Sequence, residues 1–307
     1  MRPSLATGLP PIDPPETFRM KILLTGSAGQ LGRELKRSLA PLGELIACDR
    51  RQLDLANPDA LRNAVRDLAP TVIVNAAAYT AVDKAETETG LADAINAAAP
   101  GLLAEEAKRL GACMIHYSTD YVFDGTKATP YLEEDAAMPL SAYGHSKRQG
   151  ELAIASSGAR HLILRTSWVY GLHGANFMKT MLRLGRERDE LRVVGDQFGA
   201  PTWTRHLADA TALILSRRET TEGLYHLAAA GETSWHGYAE AIFAEAKAAG
   251  LMEKSPAVHR ITTAEYPLPA PRPANSRLDC TRFTRDSGLT LPHWRTGLAD
   301  CLADARF

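Results

Sequence analysis

Short apolar runs alternate with longer amphipathic segments along residues 20–165. The apolar runs predict β-strands at 22–25, 45–48, 72–74, 113–117 and 161–164. Apolar positions spaced three or four apart predict α-helices at 31–39, 58–68, 91–110 and 143–156. Strands that alternate with helices form parallel sheets with helices on both faces. The pattern therefore predicts an α/β fold, a Rossmann-type doubly wound parallel sheet.

The pattern changes after Arg165, where tryptophan and proline residues interrupt it at irregular intervals. This change predicts a Rossmann-type domain at 20–165 and a smaller C-terminal substrate-binding lobe over most of 166–307. We expect some segments of 166–307 to return to the first domain. Residues 1–19 contain five prolines and no apolar period, which predicts a flexible tail.

The composition is that of a globular protein, with 45% hydrophobic and 23% charged residues. A formal net charge of −1 gives no general attraction for nucleic acid or an anionic membrane. No apolar stretch reaches the roughly 18 residues of a membrane helix, and the first residues lack a secretory pattern, so we expect a cytoplasmic location. Four scattered cysteines form no zinc motif, so we expect reduced thiols and no metal site.

Three glycines join the first predicted strand to the first predicted helix, in the pattern Gly26-x-x-Gly29-x-x-Gly32. Such glycines permit a tight turn, let the backbone approach a pyrophosphate and bring the helix close to the strand. The helix N-terminus adds unpaired N–H donors for phosphate oxygens. We therefore predict a dinucleotide site here, and a glycine-rich turn without a ligand is the less favoured alternative.

The identity of the dinucleotide depends on the residues after the second strand. Asp49 lies where an acidic side chain binds the adenosine ribose in dinucleotide sites. Arg50 and Arg51 follow, and a guanidinium there would hold a 2′-phosphate unless both are solvated loop residues. The cofactor is therefore NADPH or NADH. Residues 54–55 and 75–80 lie at the same sheet edge as further candidate contacts, although the alanines in 75–80 would also suit packing against a helix.

Tyr143 and Lys147 stand four positions apart in a predicted helix, so their side chains share one face. A free phenol has a pKa of about 10, and a nearby ammonium favours its ionisation. This pair is common on surface helices, but behind a dinucleotide turn it indicates a proton donor. Thr119 lies at the same sheet edge and would orient a substrate carbonyl or the phenol. Its alternative role is to satisfy the local backbone.

Several blocks of sequence, taken together, resemble the dTDP-4-dehydrorhamnose reductase family, which belongs to the extended short-chain dehydrogenases/reductases. Any one block would indicate only an extended reductase. The resemblance runs from Met20 nearly to the C-terminus. The blocks are 26–32, 75–86, 116–125, 143–147, 165–171, 194–202 and 272–278.

The resemblance implies NAD(P)H-dependent reduction of dTDP-4-dehydro-6-deoxy-L-mannose to dTDP-L-rhamnose, the last step in forming this activated sugar for surface polysaccharide. Tyr143 would donate the proton, and Lys147 would tune it and bind the nicotinamide ribose. Thr119 and Asp120 would face the sugar and help match its acidity, and Trp168 would pack against it. The implied cofactor contacts are Gly29, Gln30, Leu31, Asp49, Asp54, Leu55, Ala78, Tyr79, Thr80 and Tyr117.

One position departs from the family pattern. The resemblance implies that some members dimerise around magnesium held by glutamates, one of which follows the Pro-Thr of the 194–202 block. Arg205 stands at that place in this chain, which argues against a metal-bridged dimer. We therefore expect no metal, and a monomer or a weak homodimer.

Two other functions fit the same residues. One is another nucleotide-sugar reductase or an epimerase of the same superfamily, and the other is a non-catalytic nucleotide-binding regulatory subunit. An epimerase regenerates its cofactor, so net consumption of NAD(P)H separates it from a reductase. The presence of Thr119, Tyr143 and Lys147 argues against a subunit without catalysis.

Overall fold

The structure is a computed structural model that describes residues 20–217 and 221–305, so the tail expected at 1–19 lies outside the described residues. Its strands are β1 (Met20–Thr25), β2 (Gly43–Cys48), β3 (Val72–Asn75), β4 (Cys113–Thr119), β5 (Arg160–Thr166), β6 (Val169–Tyr170), β7 (Glu190–Val194), β8 (Phe198–Gly199), β9 (Thr202–Trp203), β10 (Gly223–His226), β11 (Thr233–Ser234) and β12 (Ala257–Ile261). Its α-helices are α1 (Gln30–Leu39), α2 (Pro58–Leu68), α3 (Val82–Ala85), α4 (Thr89–Asp93), α5 (Ala99–Leu110), α6 (Ala142–Ser157), α7 (Phe177–Glu187), α8 (Thr204–Arg217), α9 (Trp235–Ala248), α10 (Thr281–Ser287) and α11 (Trp294–Ala303).

Six parallel strands form the main sheet in the order β10-β5-β4-β3-β1-β2. The order is doubly wound, because the chain goes from β1 to β2 on one side and then to β3 on the other. Ile22 and Leu24 pack with α1 and α8, whereas Leu23 packs with α2 and α5 on the opposite face. Burial of both faces explains the continuous apolar runs of these strands. The predicted Rossmann-type fold is confirmed.

The helix expected at 91–110 contains a π-helical turn at Ala94–Ala98, between α4 and α5. α6 crosses the helix at this turn, where a Cβ on Gly150 would lie 2.1 Å from the carbonyl oxygen of Asn96. The absence of a side chain at Gly150 therefore lets the two helices touch. The Asn96 side chain leaves this turn towards the carboxyl edge of the sheet, where it bonds the backbone of Tyr79.

The C-terminal half of the chain supplies elements to both parts of the molecule. α7, α9 and α11 pack around a second apolar core that includes Met178, Tyr238 and Leu298. β7 pairs with β12 beside this core. α8 and β10 instead complete the main sheet and its helical cover. The division into 20–165 and 166–307 stays a prediction.

The structure also bears on two expectations from composition. All four cysteines are free thiols, and burial raises the pKa of Cys280 and of Cys301 to about 12, so both stay protonated and unreactive at neutral pH. Within 20–217 and 221–305, no helix has both the length and the apolar character that crossing a membrane would require.

Candidate active site

A cleft of about 820 Å³ opens at the carboxyl ends of β1, β3 and β4. This is the switch point of the sheet order, where open α/β sheets bind their ligands. The cleft brings together most of the residues predicted for the site, and its lining leaves out Gly32, Arg51 and Asn75. Those that line it are Gly26, Gly29, Gln30, Leu31, Asp49, Asp54, Leu55, Ala78, Tyr79, Thr80, Tyr117, Thr119, Asp120, Tyr143, Lys147 and Trp168.

The glycine turn leaves the N-terminus of α1 open to the cleft. Gly26 has a φ of +71°, and a Cβ there would lie 2.6 Å from the backbone nitrogen of Ala77. A Cβ on Gly32 would lie 2.1 Å from the carbonyl oxygen of Gly26, so Gly32 lets α1 pack against the turn and does not itself line the cleft. Gly29 caps α1 without a side-chain hydrogen bond, so the first N–H groups of α1 fit a pyrophosphate.

Asp49 and Arg50 form the other end of the same wall. The Asp49 carboxylate accepts hydrogen bonds from the backbone nitrogens of Arg51 (2.8 Å) and Gln52 (3.2 Å), which fixes its orientation. The Arg50 guanidinium is 74% exposed and lies 4.0 Å from the Asp54 carboxylate. A loosely held cation and a fixed carboxylate at the cleft wall suit the adenosine end of either dinucleotide.

Asn96 supports the cleft from behind its wall, and the sequence analysis did not single it out. Its side chain is buried and holds the backbone of Tyr79 at both ends, by accepting from the nitrogen (2.8 Å) and donating to the oxygen (3.0 Å). It also donates to the Ser146 hydroxyl at 3.0 Å. Asn96 therefore ties the loop after β3 to α6, between Tyr143 and Lys147. The only signal for it was a polar residue within an alanine-rich helix.

Tyr143 lies in the first turn of α6, which Ser141 caps by accepting from the nitrogen of Gly144 at 3.1 Å. Its ring packs edge-on against Tyr121. Burial raises the pKa of Tyr143 to about 12; a hydrogen bond with Thr119 opposes this, and the charge of Asp120 adds to it. The spacing of Tyr143 and Lys147 predicted a lowered pKa for the phenol, and this prediction is wrong because the pKa is raised.

Lys147 does not lower the pKa of Tyr143 because its amine is directed towards β4. Lys147 is buried, and its Nζ atom donates to the backbone oxygen of Tyr117 at 2.7 Å and lies 3.1 Å from Nε2 of His116. Burial lowers the pKa of Lys147 to about 8, and the charge of Glu151 opposes that change. The predicted helix face is correct, but the spacing contained no information about these partners on β4.

Thr119 and Asp120 supply polar groups at the floor of the cleft. The Thr119 hydroxyl donates to Oδ1 of Asp120 at 3.1 Å and accepts from the backbone nitrogen of Tyr121 at 3.2 Å. Burial raises the pKa of Asp120 to about 6, although the nearby hydroxyls of Ser276 and Thr119 oppose this. Within the described residues, Oδ2 of Asp120 is buried without a hydrogen-bond partner. A buried acceptor of this kind fits a ligand hydroxyl.

Two stacked indoles form the opposite wall. Trp168 and Trp235 lie face to face, with ring centroids 3.6 Å apart and planes at 7°. Trp168 has a φ of +46°, and a Cβ on Gly199 would lie 2.6 Å from its indole ring, so close packing holds a strained backbone in place. Trp235 also lines the cleft, and the sequence analysis had assigned it no role.

The fold and this cleft define an NAD(P)-dependent oxidoreductase of the extended short-chain dehydrogenase/reductase class. A family model described as RmlD substrate binding domain matches residues 20–307. The chain is 50% identical to dTDP-4-dehydrorhamnose reductase of Burkholderia thailandensis, over 93% of this chain and 99% of that protein. It is 49% identical to dTDP-4-dehydrorhamnose reductase of Shigella flexneri, over 91% of this chain and 96% of the relative. The chain belongs to the dTDP-4-dehydrorhamnose reductase family.

Solved structures agree with this assignment. The crystal structure of dTDP-4-dehydrorhamnose reductase from Bacillus anthracis str. Ames in complex with NADP matches with a TM-score of 0.88 and 34% identity, over 94% of this chain and 100% of that one. The crystal structure of a dTDP-4-dehydrorhamnose reductase from Clostridium acetobutylicum ATCC 824 matches with a TM-score of 0.87 and 39% identity, over 92% of this chain and 98% of that one. UDP-glucose 4-epimerase of Thermus thermophilus in complex with NAD shares only the fold, at 21% identity and a TM-score of 0.77, over 92% and 98%.

Proposed function

We propose that this chain reduces dTDP-4-dehydro-6-deoxy-L-mannose to dTDP-L-rhamnose with NADPH or NADH, the final step of dTDP-L-rhamnose formation for surface polysaccharide. The observation that carries the proposal is the single cleft that joins the dinucleotide turn to Tyr143, Thr119 and Asp120. Relatives named dTDP-4-dehydrorhamnose reductase, which align over nearly their whole length, support the choice of substrate.

The cofactor would lie along one wall of the cleft. Residues 29–31 at the start of α1 would hold the pyrophosphate, and Asp49 with Arg50 would hold the adenosine end. Lys147 and Tyr117 would lie at the nicotinamide end. The remaining contacts would come from Asp54, Leu55, Ala78, Tyr79 and Thr80, which line the space between those ends. When bound, the reduced nicotinamide supplies the hydride that the C4 carbonyl carbon of the sugar accepts.

Tyr143 supplies the proton in this proposal. As the carbonyl becomes an alkoxide, its oxygen takes the phenol proton, and solvent later reprotonates the phenolate. A pKa of about 12 keeps the phenol protonated at neutral pH, which a proton donor requires, and still leaves it more acidic than an aliphatic alcohol. Thr119 lowers the pKa of the phenol against the effect of burial, which favours the ionised form as charge develops.

The sugar would lie between the polar floor and the indole wall. Oδ2 of Asp120 is the free acceptor on the floor and would bind a sugar hydroxyl. Trp168 offers an apolar surface that suits the C6 methyl group of a deoxysugar. These contacts would place the C4 carbonyl beside Tyr143.

The proposal is tested by the absorbance of NADPH and NADH, in parallel assays with purified protein and dTDP-4-dehydro-6-deoxy-L-mannose. We expect one dTDP-L-rhamnose to form for each cofactor consumed. An epimerase or a regulatory subunit would bind cofactor without net consumption, and that result would contradict the proposal.

The position of Arg50 leads to a prediction about cofactor choice. The 2′-phosphate is present only in NADPH, so the Arg50→Ala variant should lose a charge-assisted hydrogen bond with that cofactor alone. We expect KM for NADPH to rise about tenfold or more, and KM for NADH to change little. Arg51→Ala is the matched control, because Arg51 is absent from the cleft lining. Equal changes for both cofactors would contradict this assignment.

We also propose that the protein is a monomer or a weak homodimer that needs no metal. Arg205 supports this, because its guanidinium pairs with Glu34 (3.2 Å) and Asp304 of the same chain. A guanidinium at this place repels a divalent cation. We expect the same sedimentation coefficient in Mg²⁺ and in a chelator, and a dimer that forms only in Mg²⁺ would refute the proposal.

We place the protein in the cytoplasm. Its four free thiols support this location, because unpaired cysteines are typical of reducing compartments. Cell fractionation beside a cytosolic marker tests the assignment, and recovery with a periplasmic or membrane marker would contradict it.

A further inference from the structure

His116 is a buried histidine on β4 to which the proposed reaction assigns no role. Both of its ring nitrogens have partners. Nδ1 lies 3.0 Å from Nδ2 of Asn75, at the end of β3, and Nε2 lies 3.1 Å from Nζ of Lys147 on α6. The ring therefore lies between the side chain of Asn75 and the amine of Lys147. The family resemblance places that amine beside the nicotinamide.

The orientation of the Asn75 amide decides which ring nitrogen carries the proton. Its Oδ1 atom faces the backbone N–H of Ala77 at 3.3 Å, and a backbone N–H only donates. The same atom lies 2.6 Å from the Thr25 hydroxyl, a distance that suits O–H···O and is short for N–H···O. Nδ2 of Asn75 is therefore the atom that faces His116, and it donates to Nδ1. A neutral ring with an accepting Nδ1 carries its proton on Nε2.

This tautomer places an N–H donor against the amine of Lys147. A neutral amine can accept that hydrogen bond through its lone pair while it donates to the Tyr117 carbonyl at 2.7 Å. An ammonium has three donors and no acceptor, so it cannot accept a hydrogen bond from the Nε2–H. The positive hydrogen of the Nε2–H group also repels the positive charge of the ammonium. The tautomer thus opposes the charged form of Lys147.

We propose that His116 is a positioning residue for the reaction: its Nε2–H binds the neutral amine of Lys147 and so sets the pH at which Lys147 loses its charge. Thr25, Asn75, His116 and Lys147 then form one hydrogen-bonded chain that passes under the cleft from β1 to α6. The inference rests on the proposed function only in that Lys147 lies at the nicotinamide end of the cofactor.

The other charged and titratable groups around Lys147 act in both directions. Glu151, one turn later on α6, favours the ammonium, but Arg165 of β5 already pairs with it. Tyr117 of β4 bonds Thr211 through its hydroxyl, and Asp120 and Tyr143 line the same cleft. Burial lowers the pKa of His116 well below its usual value, so the ring stays neutral. The ammonium is present below the lowered pKa of Lys147, about 8, and is lost as the pH rises through it.

The tautomer can be tested without any enzymatic activity. Protein labelled with ¹⁵N in its histidine rings is compared with the His116→Gln variant, which identifies the His116 signals. We expect a neutral ring with a protonated Nε2 and an unprotonated Nδ1, unchanged between about pH 6 and pH 9. A proton on Nδ1, or a ring that titrates in this range, would overturn the inference even if the reductase assay succeeds.

The effect on Lys147 is tested by the pH dependence of kcat. A glutamine at position 116 reaches the place of Nε2 with an amide oxygen that accepts from an ammonium. We expect the alkaline limb of kcat to move up by about one pH unit or more in His116→Gln. His116→Asn keeps a partner for Asn75 and leaves Nζ without the Nε2–H, so it should shift the limb in the same direction if the glutamine variant fails to fold.

His161→Gln is the matched control, because His161 lies on the neighbouring strand β5 and contacts the carbonyl of Ala159. Its alkaline limb should coincide with that of the unchanged protein. An unchanged limb in folded His116→Gln and His116→Asn, with normal cofactor binding, would refute the role of His116. Absence of turnover in the unchanged protein would count against the proposed function instead, and the tautomer measurement would still decide this inference.

Discussion

The Tyr143→Phe variant is expected to bind NADPH or NADH normally and to lose about 10²–10⁴-fold in kcat. Phenylalanine keeps the ring that packs against Tyr121 and removes only the phenolic hydroxyl. The alkoxide then has no positioned proton donor. Turnover at saturating cofactor gives kcat, and quenching of cofactor fluorescence gives the dissociation constant, so the two effects are measured separately.

Tyr225→Phe is the control for loss of a phenol. Tyr225 lies on β10, an edge strand of the main sheet, and its hydroxyl donates to the carboxylate of Asp286 on α10 at 3.1 Å. We expect this variant to keep the kcat of the unchanged protein. A Tyr143→Phe variant that folds, binds cofactor and retains about a tenth or more of kcat would have lost less than a general acid contributes. That result would show that another group donates the proton.

The Glu151→Ala variant is expected to lower the free energy of unfolding by about 3–5 kcal/mol, because it breaks a buried ion pair and leaves one charge behind. Glu151 and Arg165 are each 1% exposed and share two hydrogen bonds of 2.7 Å. Within the described residues, Nη1 of Arg165 already lacks a partner. The variant would leave this guanidinium buried against the Phe123 ring with its carboxylate removed.

Urea unfolding measures this difference, and Glu187→Ala is the matched control. Glu187 pairs with Arg183 on the surface of α7, where both side chains are at least half exposed, so its loss should cost at most about 1 kcal/mol. Equal losses in the two variants would contradict the importance of burial.

The same pair has a pH dependence with a defined sign. Burial raises the pKa of Glu151, but the hydrogen bonds and charge of Arg165 more than reverse this, so the net pKa is lowered. The stabilisation is therefore fully present above the pKa of the unfolded chain and disappears as the pH falls through that of the folded protein. The difference between Glu151→Ala and the unchanged protein should shrink in acid.

The fold could be predicted because its periodicity is local. Both faces of β1 and β3 are buried, so these strands are continuous apolar runs, and α1 and α2 show one apolar stripe each. The interruption at Ala94–Ala98 could not be predicted, since it depends on how closely α6 approaches at Gly150. No local pattern in the sequence records that distance.

The site divides in the same way. Residues after parallel strands meet at one sheet edge whatever their contacts, so Gly26, Asp49 and Thr119 could be placed together from sequence. The roles of His116 and Asn96 depend on partners from other elements, and both looked like ordinary residues of a buried strand and an alanine-rich helix. The pKa of Tyr143 was predicted in the wrong direction because spacing fixes a helix face but not burial or the direction of an amine.

The place of β10 in the main sheet has a consequence for how the chain forms. Residues 20–165 are synthesised before α8 and β10, so a sheet formed at that stage would have β5 at an open edge and would leave Ile22 and Leu24 without their α8 cover. An uncovered edge of this kind invites pairing with other chains. The main sheet therefore reaches its final form only after the chain has been synthesised as far as β10.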